Sequence, residues 1–148
     1  MISSKFYSSE IENVVFKKME AEANNFSNTR IKNMHVSNSL FNLSLFLESN
    51  IDKISFNLTN LQNTNFSKSK ISNTQFRSVN LNHANFYYTN FEKTYFVNSF
   101  LAHVDFSRGE LLNSFINNCN LSNCNFRLTK IKDIRLQNNI IKGIMTSD

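Results

Sequence analysis

Apolar residues return at every fifth position along most of this chain. From Phe26 the series runs Phe26, Ile31, Val36, Phe41, Phe46, Ile51, Phe56, Leu61, Phe66, Ile71, Phe76, Leu81, Phe86, Phe91, Phe96, Leu101, Phe106, Leu111, Ile116, Leu121, Phe126, Ile131, Leu136 and Ile141. Phe, Ile, Leu and Val together make up 46 of the 148 residues. At that frequency, 24 hits in succession would arise by chance with a probability on the order of 10⁻¹², so the pattern is an internal repeat. Upstream, Phe6, Ile11 and Phe16 keep the phase and Ala21 is a weak link. Of the 15 Phe, only Phe100 and Phe115 stand outside the register.

A second position supports the repeat. Two residues before each centre the side chain is usually small, as at Ser39, Ser44, Ser49, Thr59, Thr64, Ser69, Thr74, Ala84, Thr89, Cys119 and Cys124. The residue just before the centre is often Asn, as at Asn25, Asn60, Asn65, Asn80, Asn85, Asn120 and Asn125. The unit therefore reads small–Asn–(Phe/Leu/Ile)–polar–polar, seen in Thr64-Asn65-Phe66-Ser67-Lys68.

A run of such units resembles the pentapeptide-repeat family over nearly the whole chain. The resemblance implies an all-β fold, a right-handed four-sided parallel β-helix with four pentapeptides to each coil. Residues four units apart then form columns. Phe6, Phe26, Phe46, Phe66, Phe86, Phe106 and Phe126 make one column of Phe alone, which predicts offset-stacked rings at the coil spacing. The length corresponds to about seven coils and, at roughly 4.8 Å per coil, a rod of about 35 Å. Small residues beside the centres leave room for the large ones, and Asn before the centre is expected to take left-handed or turn-like backbone. The organisation predicted is a single domain over 1–148, with regular repeats over 26–141 and a less regular N-terminal coil or cap over 1–25. Residues 10–24 allow two readings. Ser9 with Glu12 fits a capping box before the apolar stripe Ile11, Val14, Val15 and Met19, whereas Ile11 and Phe16 in register favour a continuing coil. With nothing after Ile141 that makes a capping helix, self-association of a homodimer through an uncapped end is a further expectation.

Composition adds three points. The chain holds no Pro and two Gly, Gly109 and Gly143, so it is not expected to be a linker or a loop-rich scaffold built on tight turns. No apolar run reaches the roughly 18 residues of a membrane helix. Met1-Ile2-Ser3-Ser4-Lys5-Phe6-Tyr7 lacks the basic start and apolar core of a secretory signal, so a cytoplasmic location is expected, with signal-less export left open. Abundant Asn, Ser, Lys and Ile fit an AT-rich coding sequence; a bacterial protein is the expectation that goes with the family resemblance.

Candidate chemistry is sparse, and no cofactor is expected. His83 and His103 share a column with Asn63 and Asn123, without the carboxylate or Cys a metal site would need. Cys119 and Cys124 occupy the small inward position and read as buried thiols. No phosphate loop, nucleophilic triad or paired carboxylate appears, so the chain is not expected to be an enzyme.

Charge bears on the partner. Sixteen basic residues face 11 acidic ones, giving +5 and a pI near 9.3. Some proteins of the family that this chain resembles mimic duplex DNA and bind type II topoisomerases, which requires a negative rod. Here no acid lies between Lys53 and Phe91, while Lys53, Lys68, Lys70 and Arg77 do. Glu12, Asp52 and Glu92 share a column, but so do Lys32 and Lys132. A DNA-mimic resistance or immunity role on gyrase is therefore the alternative. Basic residues spread over several faces do not predict nucleic-acid binding. Apolar residues off the register point instead to an unknown protein partner. Leu40, Leu43, Leu45 and Leu47 form one group, and Tyr87, Tyr88, Tyr95, Val97 and Phe100 a second. The expected function is a non-enzymatic, rod-shaped interaction module of the scaffold or effector type.

Overall fold

The structure, a computed structural model, describes residues 4–147. Met1–Ser3 of the N-terminal reading lie outside them. The chain winds as a four-sided parallel β-helix in which each residue sits over its counterpart in the coil before. Two faces are sheets of seven three-residue strands. The first sheet runs from Glu10–Glu12 to Lys130–Lys132, the second from Val15–Lys17 to Arg135–Gln137. Ile31 lies opposite both Ile11 and Ile51, and Phe96 opposite both Phe76 and Ile116. The other two faces are joined by single bridges, such as Asn65 to Asn85 on the face of the Phe column and Asn60 to Asn80 on the fourth face. Seven strands in each sheet bound six full turns, one fewer than the chain length alone suggests.

Residues 10–24 follow the coil and not the capping-box helix. Glu10–Glu12 and Val15–Lys17 pair with Arg30–Lys32 and His35–Ser37. Strand pairing there satisfies the backbone through the next coil and turns Ile11 and Phe16 toward the core, whereas a lone short helix must carry the cost of nucleation.

Every corner is made by one residue at positive φ, two positions after the centre, from Ser8 through Asn138 and on to Gly143. Left-handed backbone costs an ordinary L-residue energy, and Asn bears it best. Eleven of these corners are Asn, among them Asn63, Asn73, Asn113 and Asn123. The left-handed half of the expectation for Asn before the centre is therefore corrected: that position does not have positive φ. That Asn has a different task on the two bridge-joined faces. Its Oδ1 accepts the backbone N–H two residues on: Ser67 to Asn65 at 2.9 Å, Tyr87 to Asn85 at 2.8 Å, Gln62 to Asn60 at 3.0 Å and Ser122 to Asn120 at 3.0 Å. This closes an Asx turn. The turn is completed where the N–H three residues after a centre bonds its carbonyl, as from Thr89 to Phe86 at 3.0 Å, and such a turn requires positive φ at its third residue.

The core is the space between the four faces. Phe26, Phe46, Phe66, Phe86 and Phe106 are fully buried. Their rings stack with centroids 4.6 to 5.5 Å apart and planes within 16°. Phe126 continues the stack at 4.9 Å from Phe106 but is only partly buried. Its N–H bonds the Met145 carbonyl, and little of the described chain lies beyond that point to cover the ring. The small residues do more than save volume. Ser69 Oγ donates to the Phe46 carbonyl at 2.6 Å and accepts from the Ser49 N–H at 3.0 Å. Ser49 does the same to Phe26 and Thr29 at 2.8 and 3.3 Å. Each hydroxyl thus fastens its coil to the one before and satisfies buried backbone groups. Gly109 replaces the Ser or Thr of this column. A Cβ there would strike the carbonyl oxygen of Thr89, so only Gly permits the approach.

Candidate interaction surface

Straight walls leave little room for pockets, and the surface is a set of columns whose chemistry can be read one by one. On the fourth face the residues before the centres are Glu20, Leu40, Asn60, Asn80, Phe100, Asn120 and Ile140. On the Phe-column face they are Lys5, Asn25, Leu45, Asn65, Asn85, Asp105, Asn125 and Met145. Leu40, Leu45 and Phe100 stand where Asn would close an Asx turn, and they are 39%, 40% and 60% exposed. They give up a local hydrogen bond and present apolar surface instead.

The leucines of the first group lie together. Leu40, Leu43, Leu45 and Leu47 succeed one another around a single corner, with Leu43 at its left-handed residue. Leu43 is exposed and Leu47 half-buried. The second group is divided. Tyr87 and Tyr88 meet edge-on, 5.5 Å between centroids, at the corner between the Phe-column face and the first sheet. Tyr95 and Val97 are on the second sheet, and Phe100 is on the fourth face. These five neighbours in sequence are distributed over three sides, because the stretch from Tyr87 to Phe100 carries the chain more than halfway round a coil.

The second sheet brings in a residue that the sequence pattern left without a role. Phe115 pairs with Tyr95, which pairs with Gln75, and Arg135 follows Phe115. Two open clefts share Tyr95 and Phe115. One extends toward Asp133 and Arg135, the other toward Arg77 and Val97. The signal that could have found this site is the position of Phe115, off the register of centres and one coil after Tyr95.

Charge is segregated by face. The first sheet holds Glu10, Glu12, Asp52, Glu92 and Glu110, half of the acids among the described residues. They are neutralised in place. Arg30 reaches Glu10 at 4.0 Å, Lys32 reaches Glu12 at 3.8 Å, Lys93 reaches Glu92 at 3.9 Å and Lys130 reaches Glu110 at 2.9 Å. Burial pushes the Asp52 carboxyl up, but hydrogen bonds from Asn73 Nδ2 and Ser72 Oγ, at 2.7 and 2.8 Å, with Lys53 and Lys32 nearby, hold it below its ordinary value. The second sheet contains no acid in any of its seven strands.

The remaining candidates are structural in their surroundings. His83 and His103 stack at 4.8 Å, and the Asn123 amide lies 3.5 Å from His103 Nε2. Among the described residues no group of three His, Cys, Asp or Glu could hold a metal ion. Cys119 and Cys124 are buried. Burial raises both thiols, that of Cys124 to about 12. No helix among the described residues is long and apolar enough to cross a membrane.

Comparison with known proteins bears on the repeat itself. The profile of the pentapeptide-repeat family matches residues 59–98 and 84–123, with 8 copies of the unit. Residues 59–123 are pentapeptide repeats of this family. No curated protein sequence matches the chain. Among solved structures it is similar to a trypsin-treated variant of QnrB1, described as a plasmid-mediated fluoroquinolone resistance protein. The TM-score is 0.66 at 14% identity, covering 100% of this chain and 91% of that one. A pentapeptide-repeat protein of the Arabidopsis thaliana thylakoid lumen matches with a TM-score of 0.45 at 13% identity, over 74% of this chain and 68% of its own. At these identities the likeness to QnrB1 shows the fold. The chemistry of a pentapeptide-repeat rod is set by the outward residues, which the fold leaves free.

Proposed function

We propose that this pentapeptide-repeat protein is a non-enzymatic, rod-shaped protein–protein interaction module of a bacterial scaffold or effector type. The observation that carries the reading is the replacement of turn-closing Asn by exposed Leu40, Leu45 and Phe100. An exposed apolar residue in place of a satisfied turn is unfavourable for the isolated rod and useful to a surface that meets another protein. Straight walls without long loops offer binding area and little enclosure for catalysis.

The alternative is a DNA mimic that binds gyrase and acts in resistance or immunity; QnrB1, alike in fold, is described as a resistance protein. It is less well supported. The acids of the first sheet are paired with bases one coil away or beside them and present no run of free negative charge.

The test separates stability from binding. Leu40→Asn with Leu45→Asn restores two Asx turns, so the double variant is expected to unfold at the same or a higher temperature. Affinity capture from bacterial lysates, read by mass spectrometry, is expected to lose a specific partner. A double variant that captures the same proteins as the unmodified chain would remove the leucine surface from the proposal.

A further inference from the structure

The second sheet carries charge of one sign around an aromatic pair. Its strands hold Lys17, His35, Arg77 and Arg135 and no acid. Every ion pair between coils among the described residues lies on the first sheet or at its edge, where Lys68 meets Glu48 at 3.4 Å. Arg77 and Arg135 have no carboxylate within 4.0 Å among the described residues, although Asp133 lines the same cleft as Arg135. Between the two guanidiniums stand Tyr95, 41% exposed, and the half-buried Phe115, with Val97 beside them.

We propose that this sheet docks an extended acidic segment of a partner protein, lying along the rod axis with a carboxylate at each end of an apolar residue. The inference rests on the interaction-module reading and assigns that module a second surface. The spacing specifies the segment. Arg77 and Arg135 are three coils apart, about 14 Å along the axis at the usual strand separation, with Arg77 in the column of Val97 and Arg135 in the adjacent column of Tyr95 and Phe115. An extended chain covers about 3.3 Å per residue, so four residues span that distance. Side chains of an extended chain alternate, so positions i, i+2 and i+4 face the sheet together. The fitting pattern is Glu-x-Leu-x-Glu. Its carboxylates meet Arg77 and Arg135, and its leucine lies over Tyr95 and Phe115. Guanidinium–carboxylate pairs suit this geometry because the planar fork can bond both oxygens.

The probe is a fluorescein-labelled peptide, Gly-Ser-Glu-Ser-Leu-Ser-Glu-Ser-Gly, titrated with the full chain and read by fluorescence anisotropy. Saturable binding that weakens with salt is expected. Arg77→Glu with Arg135→Glu is expected to weaken it at least about tenfold, or about 1.4 kcal/mol. Tyr95→Ser with Phe115→Ser is expected to weaken it about fivefold. Lys70→Glu with Lys142→Glu makes the same change in net charge on other faces and is expected to leave binding within about twofold. Circular dichroism of each variant establishes that the coil persists. Equal losses in the two charge-reversed variants, or equal binding of a peptide with its two Glu adjacent, would overturn the proposal. So would tighter binding of labelled dT12 than of the peptide. If the peptide fails to bind while the leucine surface still captures its partner, only this inference falls, and the module reading stands.

Discussion

At the residue scale, Asn has two distinct tasks in this rod. Two positions after a centre it takes left-handed backbone, as at Asn63 and Asn123; just before a centre its side chain caps a turn, as at Asn65 and Asn85. Enrichment at both positions is plain in the sequence, but the enrichment does not say which Asn bends the chain. Phe66 illustrates the other kind of residue, whose role the sequence states completely. It is fully buried, stacked at 4.6 Å on Phe46 and 4.9 Å on Phe86, and edge-on to Phe76 at 6.3 Å. Phe66→Ala leaves a cavity at mid-rod that rigid neighbouring coils cannot close, and is expected to cost about 3–5 kcal/mol. Urea denaturation followed by circular dichroism measures it. An unchanged midpoint would show that the stack contributes no stability.

At the scale of elements, the two sheets differ in what holds their outer columns. On the first sheet, coils are linked by exposed ion pairs, each worth little, and by the Asp52 cluster. Asp52 titrates below its ordinary value of 3.8 in the folded chain. A depressed carboxyl contributes stability that is fully present above the unfolded value and is lost as pH falls through the folded one. Stability is therefore expected to fall below about pH 4, and Asp52→Asn to flatten part of that fall while lowering stability at neutral pH. Thermal melts from neutral pH into the acid range read both effects; parallel curves for the two proteins would contradict them. The strands themselves were legible, because Ile11, Ile31, Ile51 and Ile71 announce their column at the coil spacing. The hydroxyl fastening was not, since Ser69 and Thr89 look merely small until the carbonyls of Phe46 and Phe66 are seen 23 residues earlier. Nor was the Tyr95–Phe115 pair, because neither side chain falls on the beat of the centres.

At the scale of the whole molecule, the arrangement of charge matters more than its sum. Half of the acids among the described residues lie in the first sheet and are offset there by neighbouring bases, while the charged residues in the strands of the second sheet, from Lys17 to Arg135, are all basic. A protein replacing DNA on a topoisomerase needs uncompensated negative charge along its length, since salt weakens repulsion without reversing its sign. No inhibition or protection of DNA gyrase is expected at stoichiometric concentration. Dose-dependent loss of supercoiling at low micromolar protein would contradict this and favour the DNA-mimic reading.

The corner residues recur with every pentapeptide while the columns recur with every fourth, and the two intervals protect different things. Insertion of a whole coil lengthens the rod by one storey and leaves every downstream side chain on its own wall. Insertion of a single pentapeptide between Gln75 and Tyr95 keeps all later centres pointing inward, because each is Phe, Leu or Ile, yet it turns the rest of the molecule by a quarter revolution. Tyr95 and Phe115 would keep their partnership and Gln75 would lose its place below them. Sequence drift by single units can thus rotate one half of the outer surface against the other with little disturbance inside, so that binding geometry in such a rod is far easier to rewrite than its fold.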